Sequence, residues 1–318
     1  MDRAKSREII MKNLEEAYFA RSRKVLLFNA HVKELAFEVA KEICEESLDD
    51  FELIAERLRE KYNDIISLAG EILPKDATSL LLANDFRVNF CAYACDELES
   101  LGINIPNFEG FDEILDEKDL KIGYFSNRSA DEAYFELLKR LPDSSQLICD
   151  GITAVCEELL SGSCELCMLP VYNSADGIMQ NVYRQSVRYS LCMVMCLDTP
   201  ADRDVIIKFG LFAPTPCKTE NAHTMQITVV GESAEEIAQL PAALTAYGAR
   251  LENISSVPPS AYDGNSAWTL DFSIKNADIN KIHLFLQIFF PRFEVNGIYE
   301  KIGSDENSEK HREDEWTR

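Results

Sequence analysis

The spacing of apolar positions changes twice along the chain. From the N-terminus to about residue 110, segments such as LEEAYFARSRKVLLFNAHVKELAFEVAKEICEE and FELIAERLREKYNDIISLAGEIL repeat their apolar residues at mixed intervals of three and four. That is the stripe of a helix with one face in a core. Ser47 or Asp49 is placed to cap the second of these helices, and Gly70 or Pro74 to end its region. A third helix is predicted over LLANDFRVNFCAYACDELESLG, where Phe86, Phe90, Tyr93 and Leu98 fall near one face and Gly102 follows as a stop. NIPNFEGFDEILDEKD then reads as a polar joint. A helical region over 1–110 is expected.

From Leu120 short apolar runs alternate with amphipathic ones. KIGYF, QLICD and CELCMLPVYN read as strands, with ADEAYFELLKRL and GITAVCEELLSG as the helices between them. Strands and helices in this alternation predict parallel βαβ units. After a helical stretch, DGIMQNVYRQSVRYS, two further strands follow as LCMVMCLD and VIIKFGLFA. Residues 119–215 are therefore expected to form a small, mostly parallel α/β lobe. Ligands of such sheets gather at the carboxyl ends of the strands. Those ends carry Ser126, Ser129, Asn173 and Ser174, whose hydroxyls and amide suit a carboxylate or an amine, and Lys208 would add a positive charge alongside.

The pattern changes again after the Pro-containing joint APTPCKTE. TMQITVVG, ARLENISSV, AWTLDFSIK and FEVNGIYEKI are strands, and SAEEIAQLPAALTAYG and DINKIHLFLQIFF are helices, giving the order βαββαβ of a ferredoxin-like domain over 222–303. Gly248 is a helix stop, Asp278 a cap and AYDGNSA a hairpin turn. The charged tail, 304–318, reads as disordered. The fold class expected is mixed α/β and α+β: helical region, βαβ lobe, ferredoxin-like domain.

Composition narrows the function classes. Of 318 residues 46% are hydrophobic, enough for two or three cored domains, and no apolar run reaches the ~20 residues of a membrane span. The N-terminus, MDRAKSREIIMKNLEE, lacks the apolar stretch of a secretory signal, so a cytoplasmic protein is expected. The net charge of −23 opposes nucleic acid through phosphate repulsion, although the first helices are locally basic.

The ten cysteines sit singly in apolar patterns, as core residues of a reducing compartment do. Cys164 and Cys167 form a CELC motif. On a strand, positions three apart point to opposite faces, so the pair is read as packing and no metal is assigned. Cys192 and Cys196 are expected to share a strand face and Cys91 and Cys95 a helix face, again as packing. The four histidines make no base constellation, and GxSxG, GxxxxGK[ST] and GxGxxG are absent, so no cofactor is implied.

Two stretches together resemble a known family. KIGYFSNRSADEAYF followed by GITAVCEELLSGSCELCMLPVYNSADG is similar to prephenate dehydratase, whose strand ending in Pro-Ile-Glu-Asn-Ser corresponds here to Pro170, Val171, Tyr172, Asn173 and Ser174. In that family an ACT domain follows, as the βαββαβ segment does here. Its Ile-Glu-Ser-Arg-Pro motif reads Ile254, Ser255, Ser256, Val257, Pro258. The resemblance implies an aromatic amino acid or prephenate-like acid as ligand, an effector place around Asn253, Ser255 and Ser256, and pairing of ACT-like domains into at least a homodimer.

The family's Thr-Arg-Phe, which supplies a proton donor and a carboxylate-binding Arg, reads Ile207, Lys208, Phe209. Isoleucine cannot donate a proton, and lysine offers a point charge without a bidentate fork. Only about half of a two-lobed catalytic part fits between Leu120 and Ala213. The leading expectation is a catalytically degenerate, ligand-binding regulatory relative in phenylalanine metabolism. The alternatives are an active lyase converting prephenate to phenylpyruvate, and a helical adaptor with an ACT-like dimerisation domain.

Overall fold

The periodicities become discrete elements in a computed structural model that describes residues 3–69, 77–201, 205–231, 233–257 and 265–302. The first 106 residues contain α1 (Arg3–Glu45), α2 (Phe51–Ala69) and α3 (Ala77–Ser100). The middle segment contains β1 (Lys121–Phe125), α4 (Arg128–Arg140), β2 (Ser145–Cys149), α5 (Ile152–Leu160), β3 (Leu166–Asn173), the short β4 (Gly177–Ile178), α6 (Gln180–Arg188), β5 (Cys192–Pro200) and β6 (Ile206–Ala213). The last contains β7 (Thr224–Val230), α7 (Ala234–Ile237), α8 (Leu240–Ala246), β8 (Arg250–Val257), β9 (Ala267–Ser273), α9 (Ile279–Phe289) and β10 (Phe293–Ile302). The expected helix ends at Gly70 or Pro74, the hairpin turn before Asn265, Pro258 and the tail 304–318 lie outside the described residues.

Two compact units result, and their boundaries cut through the C-terminal segment: residues 1–106, 238–247 and 279–291 form one, and 107–237, 248–278 and 292–318 the other. The first unit is helical. Val32, Val39 and Ile43 of α1, Leu58 of α2, and Phe86, Phe90 and Leu98 of α3 are fully buried, as is Phe285 of α9. Asp50, rather than Ser47 or Asp49, caps α2, accepting from the amides of Glu52 and Leu53 at 2.9 and 3.2 Å. The guanidinium of Arg59 donates to the carbonyls of Ile288 and Gln287 at 2.6 and 2.5 Å, occupying acceptors that the end of α9 leaves open.

His283 of α9 is buried in this unit, its Nδ1 2.8 Å from the Pro106 carbonyl and its ring 4.6 Å from that of Phe51. Burial lowers its pKa from the ordinary 6.5, more than the hydrogen bond raises it. A base depressed on folding is protonated first in the unfolded chain. Its contribution to stability is therefore complete above 6.5 and is lost as pH falls from there through the folded value. The urea midpoint of the wild-type chain is expected to drop more steeply than that of His283→Gln as pH is lowered from about 7 to about 5. Parallel pH profiles for the two would contradict this role.

The helix expected over SAEEIAQLPAALTAYG is broken into α7 and α8. Pro241, in the first turn of α8, has no N–H to continue a helix from α7 but fits the start of a new one.

In the second unit all the named strands join one sheet, in the order β2-β1-β3-β6-β5-β10-β7-β9-β8, with β4 beside β3. β2-β1-β3 is parallel, as βαβ connections require. The expected mostly parallel lobe stops there, because β6 pairs antiparallel with β3 and with β5. The short connection after β5 permits only a hairpin. The four C-terminal strands run antiparallel in the ferredoxin-like order β10-β7-β9-β8. β10 also pairs in parallel with β5, so the lobe and the ferredoxin-like strands share one sheet.

Each face of the middle strands has its own core. Ile122, Tyr124, Leu166, Met168, Leu197 and Leu211 pack with α4 residues Ala133 and Leu137. Cys167, Leu169, Met193 and Phe212 pack with Val155 and Leu159 of α5 and Val182 of α6. A bulge opposite β6 turns both Val194 and Met195 into the α4-side core. This corrects the pairing of Cys192 with Cys196: Cys196 lies with Met193 and Phe212, while Cys192 neighbours Cys217 of the α4-side core.

Arg140 ties the α4 side together. It donates to both carboxylate oxygens of Glu117 at 2.7 and 2.8 Å and to both of Glu300 at 3.0 Å, and Thr219 Oγ1 donates to Glu300 at 3.1 Å.

Candidate functional site

Strand register places the site. On the face opposite Arg140, Asn253 of β8 pairs with Asp271 of β9, Asp271 with Gln226 of β7, and Gln226 with Gly297 of β10. Alternation on β10 brings Tyr299 and Lys301 to the same face. Lys301 is paired with Cys196 of β5, Asp198 with Lys208 of β6, and Lys208 with Tyr172 of β3. All of these residues except Gly297, with α6 beside them, line a cavity of about 340 Å³.

The sheet curls around this space. Lys301 on β10 and Glu252 on β8 have two strands between them, roughly 14 Å along a flat sheet, yet their side chains form an ion pair. On α6, the Tyr183 hydroxyl lies 2.8 Å from Thr228 Oγ1 and 3.1 Å from Thr269 Oγ1. Val171, Ile178, Val182, Leu191, Met193 and Phe212 give the cavity an apolar wall.

The charges are distributed unevenly. Asp271 accepts at Oδ1 from Gln226 Nε2 at 2.7 Å and the Tyr299 hydroxyl at 3.3 Å, and at Oδ2 from Asn253 Nδ2 at 3.1 Å. Burial, reinforced by the Asp271 carboxylate, holds the Tyr299 phenol well above its ordinary pKa, so it is a neutral donor. Burial also pushes the Cys196 thiol up to about 12, which leaves it protonated. Lys208 is 3.9 Å from Asp198, both side chains about two-fifths exposed, and its ammonium lies 5.9 Å from the Tyr172 ring centre. An exposed pair this long contributes little, so Lys208 can turn to another anion.

Of the residues proposed from sequence, Lys208, Asn253 and Ser255 line this cavity. Ser256 is on β8 but does not line it. Ser126 donates to Asp131 at 3.0 Å and Ser129 lies in the first turn of α4. Asn173 holds the turn into β4, accepting from the Ala175 amide at 2.9 Å and donating to Asp176 at 3.1 Å. Ser174 Oγ accepts from the Ile206 amide at 2.9 Å. Ile207 packs against the α4-side core.

The expected strand-end position does carry an opening. Phe125, Asp150, Thr153, Arg184 and Arg188 line an open cavity of about 950 Å³ there, without Ser126 or Ser129.

The CELC motif also differs from its strand reading. β3 begins at Leu166, after Cys164, and both thiols enter the same core with Cys149 and Cys156. All four are free and buried, and among the described residues no group of three or more His, Cys, Asp or Glu is placed to hold a metal ion. No helix among the described residues is long and apolar enough to cross a membrane.

No protein-family model matches the chain, and no curated protein matches it. Solved structures similar to it include a prephenate dehydratase from Streptococcus mutans, 18% identical over 57% of this chain and 99% of that one, with a TM-score of 0.47. A prephenate dehydratase from Arthrobacter aurescens in complex with L-Phe is 11% identical over 57% and 90%, with a TM-score of 0.47. A protein described as a novel type of quorum-quenching acylase is 14% identical over 56% and 94%, with a TM-score of 0.47.

Proposed function

We propose that the chain is a small-molecule-binding regulatory protein whose ligand, an aromatic amino acid or a related acid, occupies the cavity between α6 and the curled sheet. The observation carrying this reading is the composition of that single space. It combines ammonium groups, carboxylates and neutral donors with an apolar wall, and its volume falls at the lower end of the ~300–1,000 Å³ typical of ligand sites. Lys208, whose own partner is loose, suits a ligand carboxylate.

Binding without dehydration is favoured by the chemistry at β6. At the position where the resembled family carries a proton-donating Thr stands Ile207, turned to the opposite core. Asn173 spends its amide on a turn. Departure of the prephenate hydroxyl needs an acid that these residues do not offer.

Two measurements test this together. Incubation with prephenate should yield no phenylpyruvate, and calorimetry with L-phenylalanine should give a saturable isotherm. Phenylpyruvate formation that Lys208→Ala abolishes would overturn the reading in favour of an active lyase.

A further inference from the structure

We propose that Asp271 is the ammonium-binding group of the cavity, so that the ligand is an amine-bearing molecule and not a simple carboxylic acid. This rests on the reading of the cavity as a ligand site and chooses between the two ligand classes that reading allows.

Asp271 lacks a cationic partner among the described residues: its three hydrogen-bond partners, Gln226, Asn253 and Tyr299, are all uncharged, and no Lys or Arg there forms an ion pair with it. The other two carboxylates of the lining each have an ammonium group beside them: Glu252 pairs with Lys301, and Asp198 lies 3.9 Å from Lys208 in an exposed, loose pair. Three carboxylates against two ammonium groups leave one negative charge in excess, and it resides at Asp271.

The three donors hold the carboxylate in place without neutralising it. Oδ1 carries two of these hydrogen bonds and Oδ2 only one, so Oδ2 retains an acceptor position. A partly buried carboxylate that is positioned but uncompensated gains most from a cation. An acid with no amine would enter a lining already net negative, which electrostatic complementarity disfavours. The apolar wall suits an uncharged body on that amine, and α6 holds Tyr183 over the same region through Thr228 and Thr269.

The test compares three probes that share an aromatic body: L-phenylalanine, 2-phenylethylamine, which keeps only the amine, and 3-phenylpropionate, which keeps only the carboxylate. Calorimetry on the full chain should show binding of the first two and none of the third. Asp271→Asn, which retains shape and removes the charge, should weaken 2-phenylethylamine by roughly tenfold or more. Binding of 3-phenylpropionate as tight as that of the amine would overturn the assignment while leaving the cavity a ligand site. So would unchanged amine affinity in Asp271→Asn. If none of the three binds the wild-type chain, the ligand-site reading falls and this inference with it.

Discussion

Gly297→Val is expected to cost about 3 kcal/mol or more and to leave little folded protein at physiological temperature. The reason is space. A Cβ at this position would lie 2.2 Å from the Met193 carbonyl oxygen and 2.9 Å from the Met193 nitrogen, and backbone atoms cannot rotate away as a side-chain tip can. Gly297 stands where β10 meets both β5 and β7, with bulges in both ladders beside it. A side chain there separates the ferredoxin-like strands from β5 and disturbs the row that carries Gln226 and Asp271. Urea unfolding of Gly297→Ala and Gly297→Val should show a graded loss. A wild-type midpoint for Gly297→Ala would show that β5 and β10 are not held together at this point.

Arg140→Ala is expected to destabilise the chain by about 2–3 kcal/mol. The Glu300 side chain is only 12% exposed, and without the guanidinium it is a nearly buried carboxylate with Thr219 as its remaining donor. Arg140 and Glu117 are 25% and 30% exposed, so solvent screens part of the loss and the effect falls below that of a fully buried pair. The arrangement also holds the guanidinium pKa above its ordinary value, chiefly through the hydrogen bonds it donates to Glu300 and Glu117. Glu300→Gln should restore part of the stability in the Arg140→Ala background, since an amide costs less to bury than a charge. A change within about 0.5 kcal/mol for Arg140→Ala would place this network among surface pairs of little effect.

The strands were legible because their signal is local. KIGYF coincides with β1, and FEVNGIYEKI with β10, since β-branched and aromatic residues between turn formers have few alternatives. Pairing was less legible: nothing in VIIKFGLFA announces that β6 lies antiparallel between β3 and β5, or that β10 completes the sheet beside β5. The bulge at Met193–Met195 likewise adds one residue to the alternation and reverses the face of Cys192.

The site follows the same division. Lys208, Asn253 and Ser255 could be selected as residues, but Asp271, Gln226 and Tyr299 are single polar residues in otherwise ordinary strands. They become a set only through cross-strand register. The detectable signal was Asp271 itself, a charge in the apolar run AWTLDFSIK, where a strand facing two cores would carry none.

On the proposed reading a small ligand occupies the α6 face of the curled sheet. A crystal of the full chain soaked with L-phenylalanine tests it most directly. Difference density is expected in the cavity, with the ligand amine within hydrogen-bond distance of Asp271 and its ring against Val182, Leu191 and Phe212. A cavity without ligand density at saturating L-phenylalanine, or density only at the strand ends beside Arg184 and Arg188, would contradict it.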